Sequence, residues 1–273
     1  KLLIDVGIER GNVEIEIILC YLLDVERLEL YLHGERLIND SVLKRFDEII
    51  EKRLTRYPLQ YILEEAWFYG RKFFVSPAVM VPTPETEMLC EAAIGFIKHK
   101  EYLKPKILDL GVGSGVISIT LAKELPNCSI TALDISEKAI EVAKRNAIEL
   151  DALDKIQFLQ SDYFTQLPGD NTFDIILANP PYISDEEYKE LPPEVLADPK
   201  ISLTSGIEGL DAIKLILNEA PPYLAAGGRL MFEIGYNQAE RVTELTGCDV
   251  RYKSIVIIKY LNDIDRVIIL ACD

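Results

Sequence analysis

From Lys106 onward the chain alternates short apolar, β-branched runs with helical stretches, and this alternation restricts the fold more than any other feature. Residues 107–110, 130–133, 156–159 and 173–178 read as strands. Residues 117–124 and 137–149 read as helices, the second capped by Ser136. Strands that alternate with helices imply a parallel, doubly wound α/β sheet. Gly227-Gly228 leads into a strand over 229–234, and two β-branched runs, 254–260 and 266–271, close the chain. These last two lie too close for a crossover helix, so they are expected to pair antiparallel.

Upstream, the pattern changes. Ile15, Ile18, Leu19, Leu22 and Leu23 fall on one helical face. Asn39-Asp40-Ser41 offers an N-cap to a second stripe of Leu43, Phe46, Ile50 and Leu54. Residues 1–62 are read as a small helical bundle, too short for a deep core of its own. Residues 63–82 carry Trp67-Phe68-Tyr69 and Phe73-Phe74-Val75 around Gly70-Arg71-Lys72, a hairpin signal and a linker. Thr83-Pro84-Glu85 then starts a helix, with Thr83 as cap and Pro84 in its first turn. Met88, Leu89, Ala92, Ala93, Phe96 and Ile97 supply its buried stripe. Glu85 and Glu87 are explained by the helix dipole alone. The main α/β domain is expected over 83–273.

Composition excludes several classes. Of 273 residues 49% are hydrophobic and 27% charged, a folding composition, and no apolar run is long enough to span a membrane. No signal pattern opens the chain, and five scattered cysteines without a CxxC spacing read as thiols of a reducing cytoplasm. His33 and His99 are too few for a histidine-based metal centre or triad. The net charge of −16 opposes a duplex-binding surface. Residues 1–82 hold 11 basic and 14 acidic side chains, and the remainder 18 and 31. Lys44, Arg45, Lys52, Arg53, Arg56, Arg71 and Lys72 are the material for any local basic face, although mixed charges of this kind usually mark a solvated helix.

Two constellations carry chemistry. In Asp109-Leu110-Gly111-Val112-Gly113-Ser114-Gly115 the glycines let a ligand approach the backbone where α/β sheets bind nucleotides. Asp134, 21 residues after Gly113, ends the next strand, where a carboxylate can take two ribose hydroxyls. The dinucleotide fingerprint wants glycine where Val116 stands, so a nicotinamide oxidoreductase fits poorly. The glycine loop resembles instead the S-adenosyl-L-methionine (AdoMet) loop of class I methyltransferases. That resemblance places adenine near Ser161-Asp162-Tyr163, with Asp162 accepting its amino group and Tyr163 stacking.

The second constellation, Asn179-Pro180-Pro181-Tyr182, follows the fourth strand. Two prolines fix a stiff, extended segment at a strand end. In class I methyltransferases this segment resembles the signature of enzymes that methylate a planar nitrogen. Such a nitrogen is a poor nucleophile because its lone pair is delocalised. Asn179 Oδ1 and the Pro180 carbonyl can accept both of its N–H bonds, and Tyr182 can pack on the flat face of the target.

Over nearly its whole length the chain resembles the HemK/PrmC family of peptide chain release factor glutamine methyltransferases. The likeness runs through Pro58-Leu59-Gln60-Tyr61, Val81-Pro82-Thr83-Pro84-Glu85-Thr86-Glu87, both constellations above, Gly206-Ile207-Glu208-Gly209-Leu210 and Phe232-Glu233-Ile234-Gly235-Tyr236. It implies a Rossmann-like, seven-stranded, mostly parallel sheet with an antiparallel last strand. It also implies AdoMet as methyl donor, S-adenosyl-L-homocysteine as product, and no metal. The expected substrate is the glutamine of the Gly-Gly-Gln loop of class I release factors, gripped by the helical bundle. A monomer acting in the cytoplasm, on protein rather than nucleic acid, is expected. The family usually carries Arg where Thr83 stands, so any cationic contact there falls to another residue, Arg71 or Lys72 being candidates. The rival readings are a methyltransferase acting on exocyclic base amines of DNA or RNA, and a non-catalytic AdoMet-binding scaffold.

Overall fold

The computed structural model of the protein describes residues 2–32, 34, 35 and 37–272; His33, one of the two histidines weighed above, lies outside them. The chain divides into two compact units. The first comprises Lys1–Glu65 and Leu191–Ala197, and the second Ala66–Glu190 and Asp198–Asp273.

The first unit holds helices α1 (Leu2–Asp5), α2 (Gly11–Leu23), α3 (Arg27–Leu32), α4 (Asp40–Leu54) and α5 (Leu59–Leu63). Asn39 caps α4 as its sequence suggests, its Oδ1 accepting from the Val42 N–H at 2.9 Å. The small core is Ile18, Ile49, Leu59 and Leu63. The buried face of α4 is rotated from the apolar stripe: Leu43 is exposed, while Ile49 and Arg53 are buried. Arg53 occupies a core position because carboxylates meet it there. Its Nε donates to Glu14 Oε2 at 2.7 Å and its Nη1 to Glu194 Oε1 at 3.0 Å. Arg56 Nη2 donates to Glu194 Oε2 at 2.6 Å. Glu194 thus holds Leu191–Ala197 in this unit, and two cations of the supposed basic face are neutralised within it.

The second unit opens with a hairpin, β1 (Glu65–Phe68) and β2 (Arg71–Phe74). Its turn is Tyr69-Gly70, both at positive φ, one position before the glycine-centred expectation. Phe68 and Phe73 sink fully into the main core, so the hairpin is part of the α/β unit. Helix α6 (Glu85–His99) follows. Thr83 does not cap it through its side chain; the Thr83 hydroxyl sits 3.3 Å from that of Thr86 instead. Glu87 does more than answer the helix dipole, since its carboxylate accepts the Tyr69 N–H at 2.6 Å.

Then come β3 (Lys106–Leu110), α7 (Val116–Glu124), β4 (Ser129–Asp134), α8 (Glu137–Glu149), β5 (Ile156–Gln160) and β6 (Phe173–Ala178). The short α9 (Pro193–Leu196) lies in the segment belonging to the first unit. The chain ends with α10 (Asp211–Glu219), β7 (Leu224–Glu233), α11 (Ala239–Gly247), β8 (Tyr252–Lys259) and β9 (Asp265–Cys272). The seven strands lie in the order β5-β4-β3-β6-β7-β9-β8. The first five are parallel, and β9 is antiparallel to both β7 and β8. Alternate residues feed two cores, Ile107, Ile175 and Leu177 on one face, and Leu108, Leu110, Ile176 and Leu230 on the other. Gly227-Gly228 does not precede β7 but sits inside it. A Cβ at Gly228 would come within 3.0 Å of the Asp174 carbonyl, and the β6–β7 register shifts there.

The strand order reverses its direction of growth between β3 and β6. Ligands of open α/β sheets bind at such a switch point, beyond the carboxyl ends of the strands.

Candidate active site

A cavity of about 500 Å³ opens in the second unit at that switch point. One wall is the loop after β3. Gly111 and Gly113 adopt positive φ, and a Cβ on Gly111 would meet open space, so backbone conformation fixes glycine there and leaves the cavity floor bare. Gly115, also at positive φ, is required for another reason: a Cβ would lie 3.2 Å from that of Ala143, so its lack of a side chain lets α7 close on α8.

The loop's backbone donors are spent internally. Gly111 and Val112 N–H donate to the Leu133 carbonyl at 2.9 and 2.7 Å, Gly115 N–H to the Val112 carbonyl at 2.8 Å, and Gly113 N–H to Asp134 Oδ2 at 2.9 Å. Such a loop has few donors left to cradle a phosphate. The side chains agree. Asp134, Asp162 and Asp211 line the cavity, and none of the described lining residues is Lys, Arg or His. Anionic walls without a cation repel a pyrophosphate and suit a ligand of net positive charge, which AdoMet is.

Asp134 closes β4. Its Oδ1 accepts the Ser136 N–H at 2.9 Å, and each oxygen keeps a lone pair for a ribose hydroxyl. Burial pushes its carboxyl above the ordinary range, while the N–H groups of Gly113 and Ser136 pull the other way. Burial likewise pushes the Tyr163 phenol up to about 12. Ile135 adds an apolar wall beside Asp162 and Tyr163. The chemistry of these residues fits AdoMet, whose ribose needs a hydroxyl acceptor such as a carboxylate and whose adenine needs a flat apolar or aromatic wall.

Across the cavity β6 delivers Asn179, Pro180 and Pro181 to the lining. Asn179 Nδ2 donates to Thr86 Oγ1 at 2.9 Å, Thr86 Oγ1 donates to Glu233 Oε2 at 2.7 Å, and the Tyr182 hydroxyl donates to Glu233 Oε1 at 3.1 Å. Thr86 and Glu233 are almost wholly buried. Burial raises the Glu233 carboxyl, and the two hydroxyl donors oppose that shift. Burial, followed by the nearby Glu233 charge, pushes the Tyr182 phenol well above its ordinary range. Gln238, also buried, clamps the loop from behind: its Nε2 donates to the carbonyls of Tyr182 and Gly209 at 2.9 and 3.0 Å. A Cβ on Gly209 would lie 2.3 Å from the Tyr182 carbonyl, so glycine is required for the two loops to close.

The structure therefore brings Gly111, Val112, Gly113, Ser114, Asp134, Asp162, Tyr163, Asn179, Pro180 and Pro181 together around one cavity. It leaves Asp109, Gly115 and Tyr182 out of the lining. Asp109 lies fully in the core beneath the loop, where Ser118 Oγ donates to it at 2.5 Å; burial lifts its carboxyl to about 6. The hydroxyl of Tyr182 donates to Glu233, and Tyr182 is not among the lining residues. Arg71 pairs with Glu124 at 2.5 Å and Lys72 lies over the Trp67 ring, and neither of them nor Thr83 lines the cavity. Thr86, Gln238 and Asn146 had no assigned role in the sequence. Asn146 Nδ2 donates to the Ser114 carbonyl at 2.8 Å and steadies the glycine loop.

Among the described residues no group of three or more His, Cys, Asp or Glu stands where it could hold a metal. No described helix is long and apolar enough to cross a membrane.

Comparison with known proteins adds independent findings. The Methyltransferase small domain family matches residues 92–208, and the PrmC N-terminal domain family residues 1–63. The chain is 40% identical to the release factor glutamine methyltransferase of Fusobacterium nucleatum over 96% of its own length and 74% of that protein's. It is 36% identical to the protein of that name from Koribacter versatilis, over 93% and 89%. Among solved structures it resembles the hMettl16 catalytic domain in complex with MAT2A 3'UTR hairpin 6, with a TM-score of 0.60, 14% identity and coverage of 81% and 91%. That likeness concerns the fold.

Proposed function

Because the chain belongs to the release factor glutamine methyltransferase family, we propose that its site methylates the side-chain amide nitrogen of the glutamine in the Gly-Gly-Gln loop of class I release factors. AdoMet, when bound, supplies an electrophilic sulfonium methyl and leaves as S-adenosyl-L-homocysteine. Asp134 holds the ribose, Asp162 and Tyr163 hold the adenine, and the bare backbone of Gly111 to Ser114 admits the remainder.

The observation that carries the reading is the setting of Asn179. It stands in an anionic cavity, with its amide NH2 committed to Thr86 and its carbonyl oxygen left to accept. Asn179 Oδ1 and the Pro180 carbonyl take both N–H bonds of the incoming carboxamide and hold its lone pair toward the methyl group. Alignment of this kind supplies roughly 7–11 kcal/mol in well-ordered systems. The two carbonyl oxygens also favour the positive charge that develops on nitrogen. No strong base is needed, because the methylated nitrogen is very acidic while it still carries its proton. Asp109, Gly115 and Tyr182 act from behind, through the loops they support.

Residues 1–62 bind the release factor in this reading, and the protein acts as a cytoplasmic monomer without a metal. The family of the N-terminal region supports the first of these, and the scattered cysteines without a CxxC spacing support a reducing compartment. The cation-free cavity weighs against a base-amine substrate, whose flanking phosphates need basic contacts.

Methyl transfer from labelled AdoMet tests the proposal. The acceptors are a purified release factor, the same factor with its Gly-Gly-Gln glutamine replaced, and bulk DNA and RNA. Label is expected on the intact factor alone; label on nucleic acid would move the chain to the base-amine class.

A further inference from the structure

We infer that Glu233 is a positioning residue which, through Thr86, sets the direction in which the Asn179 amide faces. The inference rests on the reading of Asn179 as the group that receives the acceptor amide.

Direction follows from counting protons. Glu233 as a carboxylate has only acceptors, and each oxygen takes one hydroxyl, Thr86 on Oε2 and Tyr182 on Oε1. Thr86 has a single hydroxyl proton. Once that proton is given to Glu233, the threonine oxygen can only accept, and it takes Asn179 Nδ2 at 2.9 Å, with the Thr83 hydroxyl farther off at 3.3 Å. An amide that presents its NH2 to Thr86 must turn its oxygen elsewhere, which is the orientation that an incoming N–H donor requires. A donor turned to Thr86 from position 233 would reverse every bond, as a glutamine does when its oxygen takes the Tyr182 hydroxyl and its NH2 faces Thr86. It would give to Thr86, Thr86 would give to Asn179, and the amide would rotate to offer NH2 to the substrate.

The partners are far apart in sequence, 93 residues between Thr86 and Asn179 and 147 between Thr86 and Glu233, so only the fold assembles them. Thr86 enters from the first turn of α6, Asn179 from the end of β6, and Glu233 from the end of β7. A buried carboxyl is costly unless it is fully hydrogen-bonded. Two hydroxyl donors partly offset that cost, and the polarity of the relay is what the structure obtains from them.

Three variants test this: Glu233→Gln, which adds a donor at constant shape; Thr86→Val, which removes the hydroxyl; and Thr86→Ser, which restores it. Turnover on the release factor should fall about tenfold or more in Glu233→Gln and Thr86→Val, the scale of one reversed or lost hydrogen bond. AdoMet Kd and the KM for the factor should stay within about twofold, because the relay orients without binding. Thr86→Ser should recover most of the turnover lost in Thr86→Val. A second readout needs no catalysis. The side-chain NH2 resonances of Asn179 in 15N-labelled protein, assigned by their loss in Asn179→Asp, should move in Glu233→Gln and Thr86→Val. Native turnover and unmoved resonances in both variants would overturn the inference and leave the proposed function standing. If the parent protein puts no methyl on the release factor, that function fails and the resonances alone decide the relay. If Glu233→Gln does not fold, Thr86→Val decides by the same two readouts.

Discussion

The two walls of the cavity are built in different ways. The wall proposed for the cofactor comes from neighbours along the chain: a glycine loop whose backbone bonds to itself and to Leu133, closed by Asp134 at the end of the next strand. The wall proposed for the acceptor, Thr86 and Asn179, is backed by residues that the sequence scatters: Glu233 accepts from Thr86, and Gln238 donates to the Tyr182 carbonyl. A local wall can bind by shape and one carboxylate. Under the proposed function, the wall assembled over long range orients a group whose direction is fixed by where each proton sits.

The sharpest break of this comparison is Asn179→Ala. Losing an aimed acceptor typically costs 10² to 10³ in turnover, about 2.7–4 kcal/mol. AdoMet affinity, measured by calorimetry, should be nearly retained. Near-normal turnover would remove Asn179 from the acceptor wall.

Asp109 shows what the cofactor wall costs in stability. Its carboxyl is raised from 3.8 to about 6 because it is wholly buried, and Oδ1 has no hydrogen-bond partner. The folded protein therefore holds this proton more tightly than the unfolded chain does, and stability falls as pH rises from about 4 to about 6. Above pH 6 the ionised group costs about 3 kcal/mol, at 1.36 kcal/mol per unit. Asp109→Asn should be the more stable protein at pH 8, by up to about 3 kcal/mol, with the gain shrinking toward pH 4. Urea unfolding at several pH values checks this; parallel curves for the two proteins would refute it.

Asp134→Ala should weaken AdoMet binding by about 1.5–3 kcal/mol, the scale of hydrogen bonds to a charged group, with turnover largely preserved at saturation. Unchanged affinity would cancel its place at the ribose.

The smallest effect separates two glycines of one motif. Gly115→Ala meets Ile119 at 3.0 Å and Ala143 at 3.2 Å and should cost roughly 1–3 kcal/mol of stability beyond the strain of its positive φ. Gly111→Ala meets open space, so only its positive φ costs, about 1–2 kcal/mol, and AdoMet affinity should fall with it. Equal thermal shifts would erase the distinction.

The same contrast governs what was legible in the sequence. The alternation from Lys106, the spacing from Gly113 to Asp134 and the Asn179-Pro180-Pro181 segment are local, and each meets the cavity in the structure. Thr86 reads as an ordinary helix-start residue and Glu233 as an acid beside a strand end, because nothing in a linear pattern says that they touch. Arg53 reads as surface until Glu14 and Glu194 bury it. Tyr182 was expected against the target because aromatic rings pack on planar groups. The bond from its hydroxyl to Glu233, a partner 51 residues away, has no signature in the sequence.

The most direct measurement is a crystal structure of the protein with S-adenosyl-L-homocysteine and a Gly-Gly-Gln peptide. The glutamine amide nitrogen should lie about 2.7–3.2 Å from both Asn179 Oδ1 and the Pro180 carbonyl, with Asn179 Nδ2 still on Thr86. A glutamine bound elsewhere, or an Asn179 amide turned to offer its NH2, would contradict the account.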